Sequence, residues 1–322
     1  MISVVKLKAV VDNKDLPVLT RDGEIVSYYA GAYKNKLMEV GYTPTSAQMT
    51  AIGAFIEDGM NNGWIDQIKY FLPFIGNSNV PLSGAVPLID SIDNYQMSEY
   101  TFTEDLSKIF VYDSSGQIIS MGGPTITPNS QVLKTPVKVS DMGGGLNVSA
   151  CIGPFVRDNS YLSYFAYQTV LSSGSLFRGI RINGSGLFDI IYRRTIDADS
   201  ANTISISRPT GAEIDNLWVQ KKDFSLNIAY FKDEADGNNY YMRFITTPDK
   251  SLENYDKGIS TSFVVYEGDD SLLSKYNATY GMNQFSCLIP IKSWGVFDYH
   301  ITRQQLADFN AAVFTLNTAL GR

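Results

Sequence analysis

The side chains that most often move protons, attack carbonyls or bind transition metals are scarce in this chain: one histidine and two cysteines among 322 residues. His300 lies in VFDYHIT, an apparent last strand running into a helix cap, and reads as a structural or surface residue. A Ser-His-Asp or Cys-His system would have to use it, and no GxSxG nucleophile elbow accompanies it. Metal sites built from several histidines are excluded. Calcium needs only oxygen ligands, and Asp233, Glu234, Asp236 and Asn238 in KDEADGNNY form the densest acidic cluster, with Asp197 and Asp199 a smaller one. Neither matches the twelve-residue EF-hand loop with its closing glutamate. Asp, Asn and Gly are what tight turns require, so both clusters read as solvated hairpin turns.

Carboxylate pairs for glycoside hydrolysis are set by spatial rather than sequence separation. Asp189 in LFDIIYR is the acid in the most apolar setting, and reads as an outward-facing strand residue. The Gly143 to Gly145 run lacks the Lys-Ser/Thr and the helix of a phosphate-binding loop. Cys151 (VSACIGPF) and Cys287 (FSCLIP) match no zinc or redox spacing and are expected to be buried free thiols. No residue is therefore assigned a catalytic, cofactor-binding or metal role, and the chain is expected not to be an enzyme.

The whole-chain balance points the same way. A net charge of −7 without any basic run argues against a nucleic-acid partner. No stretch reaches the roughly 18 apolar residues of a membrane span. The opening MISVVKLKAVVDNKD alternates polar and apolar residues, unlike a signal peptide. A hydrophobic content of 44% with 18% charged residues is that of a globular protein with a sizeable core. Twenty tyrosines and three tryptophans are more than a core comfortably uses. Such rings serve protein interfaces and sugar stacking alike.

The elements that must carry these residues divide into three regions. Residues 1–40 read as an N-terminal arm, with short strands at Val4 to Val11 and Ile25 to Tyr29 around turn-rich DNKD and RDG. The arm has few large apolar residues, so it is expected to borrow a core and to anchor the chain. Residues 41–79 read as a helical elbow. Thr45 and Gln48 make a capping box; Ile52, Phe55, Ile56 and Met60 share a face; Asn62-Gly63 ends the helix. A second short helix is expected over Trp64 to Leu72, stopped by Pro73.

Residues 80–322 carry a β signal. YLSYFAYQTV, LFRGIRI, LFDIIYRR, NTISISR, FSLNIAYF, YYMRFITT and TSFVVYE are short candidate strands separated by SSGS, NGSG, DADSAN and DEADGNN turns. In FSLNIAYF, Phe224, Leu226, Ile228 and Tyr230 alternate as in a strand with one buried face. The region closes in a helix at 303–320, where Thr302 and Gln305 form a second capping box and Gly321 stands at the C-cap. Its Leu306, Phe309, Val313, Leu316 and Leu320 share a face whose burial is worth on the order of 8–15 kcal/mol gross. That face must dock, either on Ile52, Phe55 and Ile56 or on the adjacent sheet. The expected architecture is mainly β: an antiparallel jelly-roll sandwich with an N-terminal arm, a helical elbow and a C-terminal capping helix.

Two segments, TPTSAQMTAIGAFIEDGMNNGWIDQIKYFLPFIG and GVFDYHITRQQLADFNAAVFTLNTALGR, resemble those of tailed-bacteriophage structural proteins built on a concanavalin-A-like, laminin-G-type jelly roll. The Asn-, Tyr- and Lys-rich composition also suits phages of gut Bacteroidota, the crAss-like group among them. The resemblance implies a virion component, such as a head fibre, decoration or tail-associated protein, made in the host cytoplasm. Other capsid or tail proteins are the partners it implies, while the apolar-poor arm and the many strand aromatics point to a homo-oligomer, dimer or trimer. Binding of host surface glycans and polysaccharide cleavage are the alternatives from other functional classes.

Overall fold

The computed structural model describes residues 22–91, 107, 109–123, 133–138, 146–154, 162–171, 174–182, 188–193, 201–206, 222–233, 235–259, 277–280, 290–298 and 300–322. Its architecture is mainly β and antiparallel throughout the pairings described. Among those residues are three α-helices: α1 (Asp22–Glu39), α2 (Ser46–Asn61) and α3 (Arg303–Ala319). The strands are β1 (Ile68–Leu72), β2 (Ile89–Asp90), β3 (Phe110–Tyr112), β4 (Ile118–Met121), β5 (Leu133–Lys138), β6 (Leu146–Ile152), β7 (Leu162–Leu171) and β8 (Gly174–Ile182). They continue as β9 (Phe188–Arg193), β10 (Ala201–Ile206), β11 (Phe224–Lys232), β12 (Asn239–Thr246), β13 (Glu253–Ile259), β14 (Asn277–Tyr280) and β15 (Ile291–Phe297). One sheet runs β13-β12-β11-β6-β15-β1-β2, with the β3–β4 hairpin attached through β15; the other runs β10-β9-β8-β7-β14-β5.

Both capped helices form as their sequences require. The Thr45 amide donates to Gln48 Oε1 (2.9 Å) and the Gln48 amide to Thr45 Oγ1 (3.2 Å). Thr302 and Gln305 repeat the arrangement at the start of α3, at 2.9 and 3.2 Å. Gly63, at φ +68°, turns the chain out of α2. Its carbonyl accepts from Gln305 Nε2 at 2.6 Å, which ties the end of one helix to the start of the other.

The apolar faces of α2 and α3 meet over the first sheet. Phe309 of α3 sits at the centre, with ring centroids 4.7 Å from Phe297, 5.2 Å from Trp64, 5.7 Å from Phe71 and 6.1 Å from Phe55. Most of these contacts are edge-to-face, the geometry aromatic quadrupoles favour. Trp64 is seated by two features of α2. Its indole N–H donates to Asp58 Oδ2 (3.0 Å), and Gly59 leaves room that a Cβ would take, 2.8 Å from the ring.

Three sequence expectations are corrected. Ile25 to Tyr29 is helical, part of α1. Val26, Tyr29, Ala30, Tyr33 and Leu37 recur at helical spacing, and that longer period overrides the local β-propensity. Tyr33 and Leu37 enter the core that α1 shares with α2 and the sheet, so this part of the arm finds its partner within the same chain. Trp64 to Leu72 is a 3-10 turn (Ile65–Gln67) followed by strand β1, which pairs with β15 on one side and β2 on the other. Ile68, Tyr70, Phe71 and Leu72 are buried on its two faces because the sheet is covered on both, and Lys69 reaches Asp298 Oδ2 at 3.2 Å. The same double coverage changes the reading of β11. Leu226 and Ile228 are fully buried on one face, and Ser225 and Asn227 on the other, under α3. Their burial is compensated in part: Ser225 Oγ donates to Asn310 Oδ1 (2.7 Å) and Asn310 Nδ2 to Asn227 Oδ1 (2.8 Å), while Asn227 Nδ2 has no partner.

The candidate strands beginning at Tyr161, Leu176, Leu187, Asn202 and Tyr240 are found as β7, β8, β9, β10 and β12. Val4 to Val11 and TSFVVYE lie outside the described residues.

Replacing Phe309 with alanine empties the point where two helices and the sheet converge. A loss of about 3–5 kcal/mol in chemical denaturation is expected. A loss below about 1 kcal/mol would show that the neighbouring rings close over the gap.

Candidate interaction surface

The residues with catalytic or metal-binding types do not converge. His300 is exposed in the turn after β15, its backbone amide donating to Asp298 Oδ1 (3.0 Å). Asp233, Asp236 and Asn238 form the β11–β12 turn. Asp233 Oδ1 accepts from the Ala235 amide (3.0 Å), Asp236 Oδ1 from the Asn238 amide (2.8 Å), and Gly237 takes φ +72°. Their carboxylates are thus occupied in holding the turn, as its composition suggested. Asp189 stands on β9 in register with Arg181 of β8 and Ser205 of β10. Glu234, Asp197, Asp199, Gly143 to Gly145 and Cys287 lie outside the described residues. Cys151 is a buried free thiol on β6, and its burial pushes the pKa up to about 12, far from the thiolate a nucleophile needs. Among the described residues, no group of three or more His, Cys, Asp or Glu side chains could hold a metal ion. No described helix is long and apolar enough to cross a membrane.

What does converge is a row of aromatic rings and charges on the β11–β12–β13 end of the helix-bearing face. The register creates it. Phe231, Ala229, Asn227 and Ser225 of β11 stand opposite Tyr240, Met242, Phe244 and Thr246 of β12. Those in turn stand opposite Ile259, Lys257, Tyr255 and Glu253 of β13. Helix α3 covers the Ser225 and Asn227 end and leaves the β13 end open. Glu253 and Lys257 are exposed, and Ile259 is 54% exposed.

Along this strip each cation lies on a ring. Phe231 and Tyr240 stack, centroids 5.7 Å apart with planes 20° apart, and Lys257 Nζ sits 5.0 Å from the Tyr240 centroid and 5.5 Å from that of Phe231. Arg303, the first residue of α3, places its guanidinium 5.0 Å from the Tyr255 centroid and 3.2 Å from Glu253 Oε1. Tyr255 meets Phe244 edge-on. Cations over aromatic faces are held electrostatically yet stay reachable by a partner. At the far end Tyr240 donates its hydroxyl to Asp236 Oδ2 at 2.6 Å. That bond is the largest of the influences holding the Asp236 carboxyl below the usual carboxylate range.

Beside the strip lies a shallow cleft between α3 and the β12–β13 turn. Phe244, Thr247, Lys250, Glu253, Ala307 and Phe314 line it. The turn is rigid: Asp249 bonds the Ser251 amide (3.0 Å) and Thr247 (2.8 Å), and pairs with Lys222 at 2.6 Å. The sequence named β12 as a strand but not this surface. Its signal, Glu253, Tyr255 and Lys257 on alternate positions of ENYDKGI, becomes visible only once the register is known.

No protein-family model matches the chain, and no curated protein does. The chain is similar to parts of several solved structures. With full-length tailspike protein 2 of Escherichia coli O157:H7 bacteriophage CAB120 it shares 14% identity at a TM-score of 0.38, over 66% of this chain and 26% of that one. With a leech intramolecular trans-sialidase it shares 14% identity at a TM-score of 0.38, over 57% and 26%. With the Ruminococcus gnavus IT-sialidase CBM40 it shares 13% identity at a TM-score of 0.33, over 52% and 82%. The chain thus spans about a quarter of the length of the tailspike and of the leech enzyme.

Tyr240→Phe keeps the ring under Lys257 and removes only the hydroxyl. The Asp236 carboxyl should then titrate nearer the ordinary value of about 3.9 in an NMR pH titration. A titration unchanged from that of the parent protein would contradict the bond.

Proposed function

We propose that this chain is a non-catalytic structural component of a phage particle, a head-fibre, decoration or tail-associated protein that works by assembling with itself and with other virion proteins. The supporting observation is the packing of the two segments that carry the family resemblance. They form α2 with β1 and β15 with α3, and they close on one another through Phe55, Trp64, Phe71, Phe297 and Phe309. The capped helix of each segment flanks the β strands in the chain, as the resemblance implies, whereas the second short helix it implies is strand β1. In this reading residues 80–322 form the jelly roll, 41–79 the elbow and 1–40 the arm. Because α1 seats Tyr33 and Leu37 in the core, the segment before Asp22 is the part of the arm proposed to anchor the chain.

Glycan recognition is a second reading, favoured by the Tyr240 and Tyr255 rings beside Lys257 and Arg303. Sugar rings stack on such faces while charged groups read their hydroxyls or acids.

Mass spectrometry of purified particles of the phage that encodes the chain is the direct test. The full chain should be present in fixed copy number, and a chain lacking residues 1–21 should fold but drop out of particles. Absence of the full chain from particles would overturn the reading. Retention of the truncated chain at normal copy number would move the anchor elsewhere. Binding on a glycan array that Tyr255→Ala abolishes would put the second reading first. Release of new reducing ends from host capsular polysaccharide would instead reveal an enzyme.

A further inference from the structure

We infer that β13 pairs with the β13 of a second copy of this chain, antiparallel, across a two-fold axis that passes through Tyr255. The inference rests on the reading that the protein assembles, and it names the surface through which it does so.

β13 is the terminal strand of the nine-stranded sheet among the described residues, paired with β12 through seven residues, Glu253 to Ile259. Its backbone is extended and unbulged over that length, and Glu253, Lys257 and Ile259 stand out into solvent. Sheet edges of this kind are templates for another strand unless charge or shape forbids it. The charges here forbid most registers and favour one.

Two identical antiparallel strands related by a two-fold axis normal to the sheet keep each side chain on its own face. Residue i then faces residue j with i + j even. An axis through Asp256 sets that carboxylate against itself, and an axis through Lys257 does the same for the ammonium group. Like charges directly opposite one another destabilise the pair. An axis through Asn254 sets Lys257 against Ser251 and Asp256 against Leu252, so neither charge is matched. With the axis through Tyr255, Glu253 of each copy faces Lys257 of the other, twice over, and Asn254 faces Asp256, an amide donor opposite a carboxylate acceptor. Tyr255 meets its own mate.

The local structure is compatible with that register on both faces. On the helix-bearing face, Lys257 rests on Phe231 and Tyr240 (5.5 and 5.0 Å), and Glu253 is held by Arg303 at 3.2 Å. The pairing charges are therefore positioned before the copies meet, which lowers the ordering cost of association. On the opposite face, Arg243 Nη2 donates to Asn254 Oδ1 (3.1 Å) and lies 3.7 Å from Asp256 Oδ2, fixing both polar members of that face. Gly258 sits under the Tyr241 ring, where a Cβ would come within 2.6 Å of the hydroxyl, so the edge is kept thin beside the axis.

Charge reversal tests the register, because the pattern is self-complementary. Glu253→Lys alone sets two lysines against each other at both contacts, and Lys257→Glu alone sets two glutamates. Each single variant should dimerise roughly tenfold or more weakly than the parent protein in sedimentation equilibrium at micromolar concentration. A one-to-one mixture of the two single variants restores opposite charges at both contacts. It should form a heterodimer at the parent's affinity, as should the Glu253→Lys/Lys257→Glu double variant with itself. Recovery in the mixture also shows that neither variant failed to fold. A parent protein that stays monomeric overturns the inference. An oligomer that ignores both reversals, or a mixture that does not recover, overturns the β13 pairing while leaving assembly through another surface standing.

Discussion

Phe309 is the residue on which the remaining structure depends. A helix with one apolar face and a sheet with an open face each need a dry partner, and this ring supplies the contact at which α2, α3, β1 and β15 all meet. Its neighbours come from residues 55, 64, 71 and 297, so the start and end of the described chain close on each other over the sheet. The Gln305 bond to the Gly63 carbonyl repeats that closure in polar form. With α2 and α3 fixed, α1 has a surface on which to lay Tyr33 and Leu37. What the helices leave uncovered is the β13 end of the face, the edge proposed to pair with a second copy.

Polar groups inside this seam give it a definite register. Apolar packing alone tolerates sliding of a helix along a sheet, whereas Asn310 must find both Ser225 and Asn227 or leave buried groups unpaired, at a cost of roughly 1–3 kcal/mol each. The end of α3 is held in a similar way. Gly321, at φ +77°, turns the chain so that Arg322 reaches the carbonyls of Pro73, Phe74 and Ile118. Phe74 itself holds the sparsely populated φ of +50°, a strained conformation that persists where surrounding contacts over-determine it. Burial lowers the Arg322 pKa to about 10, which leaves the guanidinium charged at neutral pH.

The sequence was most legible where a local rule decides the structure. Thr45/Gln48 and Thr302/Gln305 are capping boxes whatever surrounds them, and Gly63 and Gly321 terminate their helices as left-handed residues do. The Asp233 to Asn238 turn was likewise readable from its composition. Legibility failed where tertiary burial competes with pattern. Ile68, Tyr70, Phe71 and Leu72 are buried on the two faces of β1 while Lys69 is half-exposed, and a mostly apolar run of that length fits a helix or a strand equally well. Ile25 to Tyr29 is too short a window to show the Val26-Tyr29-Tyr33-Leu37 period. Asn310 and Arg322 carried no signal, since their importance lies in partners about 80 to 250 residues away. The β13 surface is a product of register, which no single strand reveals.

Through the aromatic seam, α2, α3 and the sheet form one cooperative unit rather than separate pieces resting side by side. A double-mutant cycle on Phe55→Leu and Phe309→Leu, read by denaturant unfolding, measures that coupling directly. Residues in contact within one packed cluster should show an interaction energy of at least about 0.5 kcal/mol, with a single unfolding transition in every variant. Additive losses, or a transition that splits in two, would contradict it.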